Sequence, residues 1–75
     1  MSQVTQTDGA VIRDGRETYV RVTAQWDDFL MPCGMTYSLE KISAENADGE
    51  QVTLSPLEQQ LFAEELHPSN YEPNQ

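Results

Sequence analysis

The sequence predicts an α+β domain: an antiparallel sheet of three to five short strands, built from two β-hairpins, with one C-terminal α-helix packed on one face. Three local observations carry this prediction. Asp-Gly occurs twice between segments of strand-like composition, at Asp14-Gly15 and Asp48-Gly49, and supplies the positive φ angles that tight hairpin turns need. Residues 18–26 alternate strictly, with Thr18, Val20, Val22, Ala24 and Trp26 on one face and Tyr19, Arg21, Thr23 and Gln25 on the other. Ser55-Pro56-Leu57-Glu58 has the form of a helix start, with a hydroxyl to cap free amides, proline at the first helical position and glutamate completing a capping box.

Residues 1–9 are polar, with Val4 as the one apolar side chain after the initiator, and read as a flexible N-terminus in which Val4-Thr5 could add an edge strand. Residues 10–67 make the single domain. Its first hairpin runs Ala10–Arg13, Asp14-Gly15, Arg16–Trp26, with Val20, Val22 and Trp26 toward the core and Tyr19 and Arg21 toward solvent or a partner. Asp27–Gly34 reads as a loop punctuated by Pro32 and Gly34. Its apolar trio Phe29, Leu30 and Met31 either plugs one end of the core or stands exposed as a contact patch. The small size of the protein favours the plug.

Met35–Ser43 places Tyr37 and Leu39 on one face but Ile42 on the other. A bulge near Glu40-Lys41 reconciles them, because one extra residue reverses the alternation; two separate short strands would also do so. The second hairpin is Ile42–Asn46 and Glu50–Leu54 around Asp48-Gly49. It leads into the helix, whose apolar face is Leu57, Leu61, Phe62 and Leu66. His67-Pro68 ends the helix, since the residue before proline disfavours α geometry. Residues 68–75 read as a flexible tail. The expected core sets Val20, Val22, Trp26, Val52 and Leu54 beneath Leu57, Leu61 and Leu66, so Trp26→Ala or Leu61→Ala should unfold much of the protein.

The chain is 75 residues long, carries a net charge of −9 and has one cysteine. A chain of this size buries only about 60% of its unfolded surface, and such thin cores invite self-association. The N-terminus has neither a basic start nor an apolar block, and Cys33 can form no internal disulfide, so a cytoplasmic protein is expected. Charge is distributed unevenly. Up to Trp26 three acids balance three arginines, whereas from Asp27 onward ten acids face only Lys41. Direct binding to nucleic acid or to an anionic membrane is disfavoured, and a basic protein surface is the favoured partner.

Catalytic chemistry finds little support. Cys33 has no base near it in sequence, and His67, the one histidine, lies at the far end of the helix. One cysteine and one histidine lack the ligand spacing of a zinc site, and the acids lack the alternate-position pattern of a calcium loop. Phosphate loops and serine-nucleophile motifs are absent from the sequence. A non-enzymatic chain without cofactor or metal is therefore expected. One electrostatic oddity stands out: Glu64 and Glu65 occupy the last helical turn, where the macrodipole favours cations.

Two functions fit. In the first, an acidic module docks on a basic groove of a larger protein, as an inhibitor or modulator, and acts as a nucleic-acid mimic if that groove normally holds nucleic acid. Its surface would use Asp27, Asp28, Glu45, Asp48, Glu50, Glu64 and Glu65, with Phe29 or Tyr37 as apolar anchors. In the second, the chain is a structural subunit that pairs with a copy of itself through the Tyr19–Arg21 face or an open edge strand, and the acids only solubilise it. In general format the chain resembles the small acidic accessory proteins of bacteriophages, some of which inhibit host enzymes or defence systems. The shared features are brevity, acidic balance and short strands running into a terminal helix, here Glu50-Gln-Val-Thr-Leu-Ser-Pro-Leu-Glu-Gln-Gln-Leu-Phe62. That resemblance implies a host cytoplasm and assigns no residue a role.

Overall fold

A computed structural model describes residues 2–70. It contains strands β1 (Ser2–Arg13), β2 (Arg16–Met31), β3 (Gly34–Glu45) and β4 (Gln51–Val52), helix α1 (Pro56–Glu65) and a 3-10 turn, Pro68–Asn70. The strands form one antiparallel sheet in the order β1-β2-β3-β4. The α+β class therefore holds, but three of the strands are long rather than short.

The first departure lies at the N-terminus. Residues 2–9, expected to fray, belong to β1 and pair with Val20–Asp27. An apolar side chain is not needed there, because β2 offers a long open edge and Thr5 finds specific partners: its hydroxyl accepts from Trp26 Nε1 at 3.0 Å and donates to the Leu66 carbonyl at 2.7 Å. The Asp14-Gly15 turn forms as expected, with both residues at positive φ (53° and 74°) between the paired Arg13 and Arg16.

The second departure is the supposed loop. Asp27–Met31 continues β2, and Pro32-Cys33 is a two-residue turn between the paired Met31 and Gly34. Proline pre-sets the turn's φ, and Gly34 then takes φ 131°, which side chains rarely adopt. Phe29, Leu30 and Met31 are thus strand residues, exposed, and do not plug the core. β3 is one strand with a bulge. Gln25 pairs with Lys41 and Trp26 with Leu39, so Glu40 is the extra residue that reverses the parity.

The second hairpin is shorter than expected. Only Ala44–Val52 and Glu45–Gln51 pair. Of Asp48 and Gly49 only the glycine has positive φ (83°). Asn46 organises the connection, its side-chain oxygen accepting from the amides of Asp48 and Glu50 at 2.9 Å each.

The helix start is built as its sequence implies. Ser55 Oγ accepts from the Glu58 amide, and the Glu58 carboxylate accepts from the Ser55 amide at 2.9 Å. The rest of the helix is turned from expectation. Leu57 and Leu61 are 65% and 57% exposed, while Leu66, the C-cap, is fully buried and Phe62 is half-buried against the core. Glu58 sets this rotation. Arg13 of β1 grips its carboxylate with two hydrogen bonds, 2.7 and 2.9 Å, and donates a third to the Thr53 carbonyl at 2.6 Å. Glu58, Phe62 and Leu66 follow one another at four-residue spacing, so holding Glu58 toward β1 brings the other two with it and turns Leu57 and Leu61 outward. At Gly9 an added methyl would lie 3.0 Å from Phe62 Cε1, so the missing side chain makes room for that ring. Contact of Arg13 with Thr53, which follows the opposite edge strand, shows that the sheet curls.

The core comprises Val11, Val20, Val22, Ala24, Trp26, Ala44, Leu54 and Leu66, with Tyr37, Ile42, Val52, Phe62 and Ala63 packed on it. Beyond the helix, Pro68 is buried and the His67 ring meets Trp26 and Tyr37 edge-on at 5.2 and 5.4 Å. Asn70 donates to the Glu64 and Glu65 carbonyls, closing the helix end. Residues 68–70 of the expected tail are therefore structured. Residues 71–75 lie outside the described residues. No helix among the described residues is long and apolar enough to cross a membrane.

Candidate functional site

The long hairpin between β2 and β3 runs past its neighbours. Pairing of β1 with β2 stops at Ser2–Asp27, and β4 reaches only Ala44 and Glu45. Among the described residues, 28–37 therefore form a two-stranded ribbon with no third strand beside it. The molecule is correspondingly elongated, 46 × 23 × 21 Å.

Apolar residues crowd this ribbon. Leu30 is 81% exposed, and Phe29, Met31, Met35 and Leu39 are all exposed. Register places Leu30 opposite Met35 and Phe29 opposite Thr36. Opposed residues share a face, so Leu30 and Met35 extend the face that carries Trp26, while Phe29 and Met31 occupy the other. Exposed apolar clusters of this kind on small proteins mark contact sites. The tip carries Pro32 and the free, exposed Cys33.

Of the two expected apolar anchors, Phe29 is exposed on the ribbon, whereas Tyr37 is half-buried at its root against His67. Sequence reasoning weighed Phe29, Leu30 and Met31 as a contact patch but favoured the plug, and it missed Met35 and Leu39 as part of the surface. Their signal was present: Asp27–Met31 and Gly34–Ser38 can pair around Pro32-Cys33. It was hidden because apolar residues on both faces erase the alternation by which strands are recognised.

The seven acids fall in three places. Asp27 and Asp28 sit at the ribbon root, where Gln3 Nε2 approaches Asp28 at 3.4 Å; the bulged Glu40 joins them by register. Glu45, Asp48 and Glu50 gather at the β3–β4 turn. Glu45 pairs with Arg21, six residues along β2 from Asp27, so the two groups lie about 20 Å apart. Glu64 and Glu65 close the helix. Among the described residues, Arg13 pairs with Glu58 and Arg21 with Asp8, while the Asp28 carboxyl, held below its ordinary value, has partners of its own.

The sheet face bearing Tyr19 and Arg21 is engaged internally. Tyr19 donates to Asp8 Oδ1 at 2.7 Å and Arg21 Nε to the same oxygen at 3.3 Å. These bonds, the tyrosine's foremost, hold the Asp8 carboxyl below its ordinary value, and Asp8 in turn pushes the Tyr19 hydroxyl up. Depressions on this face measure about 190, 230 and 320 Å³. They sit at or near the bottom of the roughly 300–1,000 Å³ range of small-molecule sites.

Cys33 and His67 are held apart. His67 touches Tyr37, four residues along β3 from Cys33, a separation of about 13 Å. Its Nδ1 already accepts from the Ser69 amide at 3.2 Å. Among the described residues no group of three or more His, Cys, Asp or Glu side chains is placed to hold a metal ion. Comparison with protein-family models, with curated proteins and with solved structures finds no match to this chain.

Proposed function

We propose that the chain is a non-enzymatic protein-binding module, an inhibitor or modulator, that docks its β2–β3 ribbon on a basic surface of a larger protein. A nucleic-acid-binding groove is one such surface. The observation that supports this reading best is the ribbon itself: four large apolar side chains exposed on a projecting hairpin, with Leu39, Asp27, Asp28 and Glu40 at its root.

The mechanism divides between two forces. A net charge of −9 steers the module toward a cationic partner over a range set by the Debye length, and the apolar tip then supplies the short-range contact that slows release. Leu30 is the central anchor because it has the most surface to bury. The cellular setting in this reading is a bacterial cytoplasm, in keeping with the resemblance in format to bacteriophage accessory proteins.

The test is capture from a bacterial lysate on immobilised wild type, on Leu30→Ser and on Asp27→Asn/Asp28→Asn. A partner retained by wild type, lost by Leu30→Ser and released from wild type by a salt gradient supports the reading. Retention that ignores both the ribbon variant and salt overturns it.

A further inference from the structure

The free edge of β1 is a binding surface that the ribbon does not use. β1 runs for 12 residues along β2 in unbroken register. Asp14-Gly15 is a two-residue turn, so Arg13 and Arg16 bond to each other. The alternation of an antiparallel ladder then turns the odd-numbered residues of β1 toward β2. Val4, Gln6, Asp8, Ala10 and Ile12 therefore aim their amides and carbonyls away from the sheet. The Ile12 carbonyl accepts from Arg13 Nη1 at 2.8 Å, in agreement with this parity. From Val4 to Ala10, among the described residues, the one hydrogen bond to an outward backbone group is a long contact of 3.5 Å from the Thr7 hydroxyl to the Asp8 carbonyl.

Native sheets guard their edges with bulges, prolines and lysines. The opposite side of this sheet is guarded: β4 covers Ala44 and Glu45, and the bulge at Glu40 followed by Lys41 interrupts the rest of β3. β1 contains no bulge, proline or lysine. We propose that β1 of a second copy of this chain covers the edge, the two strands pairing antiparallel about a two-fold axis at Thr7.

Backbone, charge and register together select that occupant. A row of unpaired amides and carbonyls is satisfied by another strand rather than by a helix or a flat surface. Up to Trp26 three acids balance three arginines, so the whole of the −9 lies elsewhere. Asp8, the one charged residue from Val4 to Ala10, already accepts from Tyr19 and Arg21. The edge is thus the part of an acidic protein that a second acidic chain can approach, and it offers a cationic partner little. Centring the pair on Thr7 sets Val4 opposite Ala10 and Gln6 opposite Asp8, so every outward residue from Val4 to Ala10 finds a partner and no like charges are opposed. Thr7 meets Thr7, a favourable cross-strand pair. The exposed Val4 of each copy then lies beside Ala10 of the other and one strand away from its exposed Tyr19.

Such a contact is isologous and closes on itself as a dimer. Each ribbon begins beyond Ser2, so antiparallel pairing sends the two ribbons out at opposite ends, both free. The interface is small and the net charges repel, so the dimer is weak, with a dissociation constant between about 10 μM and 1 mM. Screening that repulsion tightens it, whereas salt weakens docking of the ribbon on a basic surface.

Sedimentation equilibrium of the full chain from about 10 μM to about 1 mM tests this. Wild type is expected to pass from monomer to dimer, and to do so at lower concentration in about 300 mM salt than in about 20 mM. Gln6→Pro removes an outward amide that β2 does not use, and is expected to fold and stay monomeric. Thr7→Cys in a Cys33→Ser background is expected to form an intermolecular disulfide, with oxidised glutathione as the electron acceptor, because the axis sets the two residues about 4.5 Å apart. Val4→Cys in the same background, about 20 Å from its copy, is expected not to. Leu30→Ser, which tests the ribbon, should dimerise as wild type does, so the two readings fail separately. A wild type that is monomeric at the highest concentration overturns the proposal. So does a dimer that survives Gln6→Pro, one that salt weakens, or one that Val4→Cys locks as readily as Thr7→Cys.

Discussion

Leu66→Ala and Leu61→Ala form a matched pair that tests how α1 is rotated. Both delete the same atoms ten or fewer residues from the same helix start. Leu66 is fully buried, and its carbonyl receives the Thr5 hydroxyl; Leu61 is 57% exposed. Truncating a buried leucine costs about 2–5 kcal/mol, because the lost transfer energy is joined by a cavity the surroundings only partly fill. Truncating an exposed one stays within about 0.5 kcal/mol. For 75 residues the unfolding entropy near the midpoint is about 0.16 kcal/mol/K, so Leu66→Ala should lower Tm by roughly 12–30 °C and Leu61→Ala by no more than about 3 °C. Total stability at this size is only about 4–11 kcal/mol, so Leu66→Ala removes a large share of it. Thermal unfolding followed by circular dichroism reads both shifts. Equal losses, or a larger loss for Leu61→Ala, would refute the rotation and return the helix to the face its periodicity suggests.

Three further outcomes follow from the geometry. Thr5→Val removes the acceptor of Trp26 Nε1 and the donor to the Leu66 carbonyl, and should lower stability by about 1–3 kcal/mol; an unchanged melting curve would show that the bridge does not bind the first strand to the helix. Arg13 first, and then the Ser55 amide, hold the Glu58 carboxyl at about 2 against an ordinary 4.5. A depressed carboxylate stabilises the fold above its unfolded pKa and loses that contribution as pH falls toward its folded one, here between 4.5 and about 2. Glu58→Gln should therefore melt below wild type at pH 7 and converge with it near pH 2, and a gap that persists at pH 2 would assign the loss to something other than this charge. Cys33, exposed at the ribbon tip, should react with a thiol reagent in the native protein at close to its unfolded rate, without shifting Tm; protection of the thiol would mean that the tip is covered.

Some of this molecule follows from short stretches of chain. Asp14-Gly15, the capping box of Ser55 and Glu58, and the stop at His67-Pro68 each act through backbone groups within four residues, so their outcome hardly depends on the rest of the fold. The core side of Val20, Val22, Ala24 and Trp26 was legible for a similar reason: pleating fixes which residues share a face. The bulge at Glu40 was legible as a conflict of parity between Leu39 and Ile42.

The remainder waited on contacts between distant residues. Periodicity placed Leu57, Leu61, Phe62 and Leu66 on one apolar face, an arc wide enough for the helix to bury either Leu57/Leu61 or Phe62/Leu66. Arg13, 45 residues away from Glu58, decides between them. The N-terminal strand was hidden because its stability comes from pairing with β2 and from Thr5, not from apolar side chains of its own. The β2–β3 ribbon was hidden because apolar residues on both of its faces stay exposed. Sequence by itself thus determined the Asp14-Gly15 turn, the start of the helix and the acidic balance. Only the tertiary structure decided which apolar groups stay outside, because inside and outside are properties of the assembled chain, set by which long-range partners win.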